Sequence, residues 1–259
     1  MTAPVLSVRR FRGLGNIFLL APVLLKAACA RRVELITEPA WADAVQDLFP
    51  EIAFSLTSRL TTIDLDLLTP LQEEAAFLHR IECFGALLGI KGPFARLALN
   101  AKSVKPLDLV SPYVVFAPDA SHAARSWPAE YVQRFCALAG DWNVVLVGDR
   151  SISVPDVYLD LRAQLAPRQL MSLIAHADAV VTMDSACLHV AEAFSRPAIA
   201  IFGGVDYRLR CNSLLTTIPL SGGVDCYPCN KRESCNGTYD CVRSSTPELV
   251  IAHLRARLS

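Results

Sequence analysis

Two short stretches carry residue types suited to holding a phosphate. In "ADAVVTMDSACLHVAEAFS", residues 177–195, an apolar strand-like run ends at Asp184, the small residues Ser185 and Ala186 follow, and a helix begins. The first N–H groups of a helix lack intrahelical acceptors and sit at the positive end of its dipole, so this arrangement attracts anions. The competing reading makes Asp184 or Ser185 a helix cap and nothing more. His189 falls inside the helix, either as a hydrogen bonder at this site or as a core histidine. In the second stretch Arg125 precedes Trp127 and Pro128. Its guanidinium can neutralise a diphosphate with two-point geometry, or it is a solvated surface arginine.

Two further groups raise chemical questions. Gly13-Leu14-Gly15-Asn16 follows a short apolar run and supplies a tight turn, with Asn16 expected to cap the helix after it. Cys226, Cys229, Cys235 and Cys241 form a C-x2-C pair followed by two more cysteines at five-residue gaps. Four thiolates this close could surround a tetrahedral zinc or iron in a structural role; disulfides and free thiols are the alternatives. The other five cysteines are scattered, which suits a reducing cytoplasm.

These residues need elements to position them. The chain has 259 residues, 53% hydrophobic, with 25 Lys+Arg against 25 Asp+Glu. That is a globular composition without the basic field that gathers nucleic acid. Short Val/Ile-rich runs such as "YVVFAP", "NVVLVG" and "PAIAIFGG" alternate with helical patterns, which predicts parallel strands with helices on both faces. The regular part begins near Ser111. Before it, "PVLSVRR" and "RVELITEP" read as strands, "WADAVQDLFPEI" and "EEAAFLHRIECFGALLGI" as helices, and residues 91–111 as a linker.

The segment "TMDSACLHVAEAFSRPAIAIFGGVD" closely resembles the signature of glycosyltransferase family nine, the ADP-heptose heptosyltransferases of lipopolysaccharide synthesis. The matching positions are Asp184, Ser185, His189, Ala191, Pro197, Phe202, Gly203 and Asp206, with Ala186 where the family usually has glycine. "VVFAPDASHAARSWPAEYVQRFCAL" is similar to the family's phosphate loop, with Arg125 at the place of its basic residue.

The resemblance implies an α/β protein of GT-B type, two Rossmann-like parallel-sheet domains facing across a cleft. Residues 1–106 would form a shortened acceptor domain and residues 107–225 the nucleotide-sugar domain. A cysteine-rich segment, 226–245, would follow, and a terminal helix, 246–259, would pack back toward the first domain. The implied activity is an inverting transfer of a sugar, heptose above all, from a nucleotide diphosphate such as ADP-heptose to a glycan, lipid-linked or protein acceptor. The chemistry requires no cofactor. Arg125, Asp184, Ser185, Ala186 and His189 would hold the donor, and Gly13 and Gly15 would shape the acceptor loop. Similar cysteine clusters in family members, including the autotransporter heptosyltransferases, are associated with bound iron.

One position departs sharply. The family's first loop carries aspartate as the usual base, and here Asn16 stands there. An amide cannot take the acceptor proton, so either another group does, with Asp119 and Glu38 as substitutes, or the chain binds nucleotide sugar without turnover. A sugar-nucleotide epimerase is a more distant alternative. Residues 12–32 also resemble a secretory signal ending at Ala28-Cys29-Ala30, after Arg9, Arg10 and Arg12. Lys26 interrupts its apolar stretch, and cleavage would remove a strand and helix the fold needs, so the expectation is folded structure in a cytoplasmic protein. Peripheral contact with the inner face of the membrane is expected if the acceptor is a lipid.

Overall fold

The computed structural model describes residues 4–11, 13–68, 78–149, 152–154, 157–229, 235 and 237–258. Arg12 and the start of the helix read from residue 73 lie outside them. Two all-parallel sheets are present, one of four strands in the order β3-β2-β1-β4 and one of six in the order β10-β9-β8-β5-β6-β7.

The first sheet contains β1 (Leu6–Arg9), β2 (Val33–Ile36), β3 (Ile52–Ser55) and β4 (Ile63–Asp64). Register puts Leu6, Val8, Val33, Leu35, Ile52, Phe54 and Ile63 on one side, against α1 (Leu14–Ala28), α2 (Pro39–Val45) and α3 (Arg80–Leu87). Leu20, Val23 and Leu24 of α1 are fully buried, each worth about 1.5–3 kcal/mol of transfer free energy. The suspected signal segment is thus integral to the core.

The opposite side of this sheet is polar. Ser7 meets Thr62 hydroxyl to hydroxyl at 2.9 Å, Arg59 pairs with Glu34 at 2.8 Å, and Arg9 pairs with Asp64 at 2.9 Å. The β3–β4 return runs through residues 56–62 here, too short a stretch to lay a helix across the sheet. Ser7, Glu34 and Ile36 on this side are nonetheless buried.

The expectation of helices on both faces holds for the second sheet. This comprises β5 (Tyr113–Ala117), β6 (Asn143–Leu146), β7 (Leu159–Asp160), β8 (Ala179–Met183), β9 (Ala198–Phe202) and β10 (Thr217–Ser221). One face packs on α4 (Ala129–Leu138) and the last helix, and the other on α5 (Pro167–Ala175) and α6 (Ala186–Ala193). A short α7 (Asp240–Arg243) precedes α8 (Pro247–Leu258).

Helix α8 corrects an expectation. It does not return to the first sheet but packs on α4 and β9. Its buried Val250, Ile251 and Leu254 make one stripe that fills a groove beside Val132 and Phe135. Arg134–Glu248 at 2.8 Å and Arg255–Asp141 at 3.6 Å flank that contact.

The two sheets share a continuous apolar core, because α1 packs directly on α6 and α2 on α5. The presumed linker is packed down, with Leu97, Leu99, Leu107 and Leu109 against that core and Leu99 N donating to Ala193 O at 2.7 Å. Arg168 reaches across to Asp47 at 3.0 Å and Asp43 at 3.4 Å. No helix among the described residues is long and apolar enough to cross a membrane.

Candidate functional site

Strands β5 and β8 are neighbours, so the loops leaving their carboxyl ends must meet, and this edge of an open parallel sheet is where such folds hold ligands. Arg125 is the residue that joins them. Its Nη1 donates to the Asp184 carbonyl at 3.0 Å and lies 4.0 Å from the Asp184 carboxylate, while Nη2 donates to Ser121 Oγ at 2.9 Å. The surface-arginine reading is excluded by these contacts.

Two devices hold Arg125 in place. Trp127 is fully buried; its backbone N donates to Pro118 O at 2.8 Å and its indole to Ser245 O at 2.9 Å. Gly203, just past β9, lies so near the turn that a Cβ there would stand 1.9 Å from the Ala124 carbonyl oxygen. Only glycine lets the turn bearing Arg125 settle on the sheet edge.

Ser185 caps α6, its Oγ accepting from Cys187 N at 3.2 Å and meeting Thr182 Oγ1 at 2.9 Å. Asp184 is buried, and its Oδ2 accepts no hydrogen bond among the described residues. Burial pushes the Cys187 thiol up to about 12, and the charges of Asp119 and Asp149 add to that shift. Asp119 is buried and its Oδ1 accepts from Asp149 N at 3.4 Å. A cavity of about 550 Å³ opens on the other side of the 119–128 loop, between Asp119, His122, Trp127, Asp149, Tyr239 and Arg243. It shares Ser121 with the Arg125 network but not Asp184 or α6.

From the first sheet, the glycine loop arrives at the same place. Gly13, with φ of +80°, is the N-cap of α1, so Asn16 is not the cap; it lies within the first turn and donates its backbone N–H to Gly13 O at 3.0 Å. A positive φ explains glycine at 13. Gly15 is required for a different reason: its Cβ would stand 2.8 Å from His189 Cδ2 and 2.9 Å from Ala186 Cα. The structure therefore brings Gly15, one residue before Asn16, against Ala186 and His189. Glu38 does not join them; it is exposed and precedes α2.

His189 is 5% exposed. Its Nδ1 faces Glu192 Oε2 at 3.8 Å, and Glu192 is itself held by Asn212 N at 2.9 Å, Asn212 Nδ2 at 3.1 Å, Ser213 N at 3.2 Å and Thr217 Oγ1 at 3.2 Å. Sequence reasoning passed over Glu192, although a His and a Glu three residues apart on a helix share a face. It also missed His79. Ile81 N donates to His79 Nδ1 at 3.2 Å, so Nε2 carries the proton and donates to Cys211 O at 3.2 Å, linking the two sheets' segments. Burial holds the His79 pKa below the usual histidine range.

The end of β1 is clamped by Asp66, which accepts from Phe11 N at 2.7 Å and pairs with Arg10 at 3.2 Å. Asp206 caps a turn and pairs with Arg208 at 2.6 Å, which lowers its pKa.

The four cysteines proposed as metal ligands do not form a coordination set. Among the described residues no group of three or more His, Cys, Asp or Glu side chains could hold a metal ion, and no disulfide joins Cys226, Cys229, Cys235 and Cys241. They share a neighbourhood, since burial raises the Cys241 pKa and Cys229, Cys235 and Cys226 add to it. Cys229 Sγ turns to Gly204 O at 3.9 Å, Cys241 is buried and Cys226 is exposed.

A family model for glycosyltransferase family 9 (heptosyltransferase) matches residues 88–240, more than half the chain. No curated protein sequence matches. Among solved structures, the dodecameric iron-containing heptosyltransferase TibC in complex with ADP-D-β-D-heptose superposes with a TM-score of 0.77 at 17% identity, covering 98% of this chain and 76% of TibC. A family 9 glycosyl transferase from Veillonella parvula DSM 2008 gives 0.72 at 13% identity, with 100% and 98% covered. The E. coli heptosyltransferase WaaC with ADP gives 0.68 at 13% identity, with 98% and 100% covered. At these identities the structures establish a shared GT-B fold.

Proposed function

The chain belongs to glycosyltransferase family 9, and from that premise we propose that it transfers a sugar from a nucleotide diphosphate donor, ADP-heptose in the first instance, to a hydroxyl of a glycan, lipid-linked or protein acceptor. The observation that carries this reading is Arg125, bound to the Asp184 carbonyl and Ser121 Oγ beside the capped start of α6. A guanidinium and a helix N-terminus on one sheet edge oppose the charge that grows on a leaving diphosphate.

In this reading the acceptor hydroxyl attacks the anomeric carbon from the side opposite the diphosphate, with inversion. The acceptor approaches from the first sheet, past the Gly13–Gly15 turn, whose Gly15 abuts α6 at Ala186. Transfer in this family needs no cofactor. TibC is iron-containing, but no step here runs through a metal. The protein acts in the cytoplasm, touching the inner face of the membrane where the acceptor is lipid-linked.

Asn16 favours a second reading, a binding relative that keeps the donor pocket and has lost turnover. The test is calorimetric binding of ADP-heptose and other sugar nucleotides, with nucleoside diphosphate release measured with and without candidate acceptors. Binding with release supports transfer. Binding without release, unchanged by Asn16→Asp, supports the second reading, and a folded protein that binds no sugar nucleotide refutes both.

A further inference from the structure

We infer that His189, backed by Glu192, takes the acceptor proton that Asn16 cannot take; this rests on the transferase reading above. The first observation is placement. Gly15 lies against the Cδ2 edge of the His189 ring, so tightly that any Cβ on residue 15 would collide with it. Nε2 is the covalent neighbour of Cδ2, so this nitrogen sits beside the loop whose next residue is Asn16.

The second observation is partnering. Nδ1 is the ring nitrogen sealed from solvent without a hydrogen bond, and it faces Glu192 Oε2 at 3.8 Å. His189 is not otherwise hydrogen-bonded among the described residues, and Nε2 is not sealed in the same way. A ring with a carboxylate behind one nitrogen and the other nitrogen open is arranged as a base with its orienting partner.

The third observation is rigidity. Glu192 is 1% exposed and held by four donors from residues 212–217. It is therefore fixed before any substrate arrives, and its unfilled direction is toward Nδ1. Contraction of the 3.8 Å gap by a few tenths of an ångström makes a hydrogen bond, and such contacts commonly tighten only when substrate is bound. With Nδ1–H turned to Glu192, Nε2 presents its lone pair.

The step balances as follows. The acceptor oxygen forms a bond to the anomeric carbon, and the bond from that carbon to the diphosphate oxygen breaks. Its electron pair leaves with the nucleoside diphosphate, and the acceptor proton passes to Nε2. The resulting imidazolium faces the Glu192 carboxylate. Glu192 acts only through His189 and is a positioning residue. The charged and titratable groups around the pair include His79, on which His189, Glu192 and Arg210 act, Cys211, on which Glu192 acts, and Arg96, which lines the small space beside His189 and Glu192.

The experiment follows ADP release from ADP-heptose, with water as acceptor, by the wild-type chain and by His189→Gln, Glu192→Gln and His189→Ala, with ADP-heptose affinity measured in parallel. His189→Gln should lower kcat by about 10²-fold or more while changing the dissociation constant less than about threefold. Glu192→Gln should lower kcat and change its pH profile while leaving the dissociation constant within about threefold of wild type. Added imidazole should restore part of the activity of His189→Ala, which keeps the inference testable if the glutamine variant folds poorly. His189→Gln with wild-type kcat and an unchanged pH profile overturns the inference while leaving the transferase reading intact. Wild-type protein that binds ADP-heptose but releases no ADP at any pH overturns it too, and absence of binding overturns the transferase reading itself.

Discussion

Replacing Gly203 by alanine tests the link between sheet edge and donor charge most directly. A Cβ at 203 would stand 1.9 Å from the Ala124 carbonyl oxygen, where roughly 3.3 Å is the closest comfortable carbon–oxygen approach. The turn must therefore retreat by roughly 1.4 Å, and Ala124 is the neighbour of Arg125. A displacement of that size breaks the 3.0 Å bond from Arg125 to the Asp184 carbonyl. Overpacking costs about 1–3 kcal/mol and loss of a charged hydrogen bond about 1.5–3 kcal/mol, together about 2.5–6 kcal/mol. For a chain of this size that lowers Tm by at least about 5 °C. Displacing the guanidinium should also weaken sugar-nucleotide binding about tenfold or more. Gly140→Ala is the control, because nothing lies within 4 Å of its added Cβ, and its stability should stay within about 0.5 kcal/mol of wild type. Scanning calorimetry and titration calorimetry read both effects. A Gly203→Ala protein that melts within about a degree of wild type and binds ADP-heptose equally would refute the close-approach argument.

Other outcomes follow from the same contacts. Arg125→Lys keeps the charge but cannot reach both the Asp184 carbonyl and Ser121 Oγ, so donor affinity should fall about tenfold, and Arg125→Met should fall further in the same titration. Burial depresses the His79 pKa in the folded state, so its contribution to stability is present above about pH 6.5, the unfolded value, and is lost as pH falls through the folded one. Urea unfolding should show this loss on acidification, and His79→Gln should reduce it. Burial lifts the Cys187 thiol to about 12 and the Cys136 thiol to about 11, whereas Cys29 and Cys226 are exposed. Iodoacetamide at pH 8 should therefore label Cys29 and Cys226 in the native protein, and Cys187 and Cys136 only after unfolding, as peptide mass spectrometry would report.

How much of this was legible in the sequence depended on whether the signal was local. Tyr113–Ala117, Ala179–Met183 and Ala198–Phe202 are buried at every position, so each appears as a continuous apolar run that only a strand covered on both faces can use. Ser185 as a cap and the tight turn at Gly13 were readable for the same reason, being properties of a few consecutive residues. The first sheet was harder. Its strands are short, β4 spans only Ile63–Asp64, and one side is polar through Ser7, Arg9, Glu34 and Asp64. Alternation is therefore visible for only two or three residues at a time, too few to separate from a loop.

The misjudged features share one cause: they depend on what meets what at long range. The stripe Val250, Ile251 and Leu254 predicts a buried face on α8 but carries no information about which groove receives it, and the groove beside Val132 and Phe135 took it. Asn16 looked like a cap because a short polar side chain at a helix start usually is one, yet the chain turns three residues earlier, at Gly13 with positive φ. His189 was undecidable alone, since a histidine inside an apolar helix reads the same whether it is core or catalytic. Its neighbours come from three separate parts of the chain: Gly15 against the ring edge, Glu192 facing Nδ1, and residues 212–217 holding Glu192. No window of consecutive residues contains that arrangement, and the kinetics of His189→Gln and Glu192→Gln are what separate a core histidine from a catalytic one.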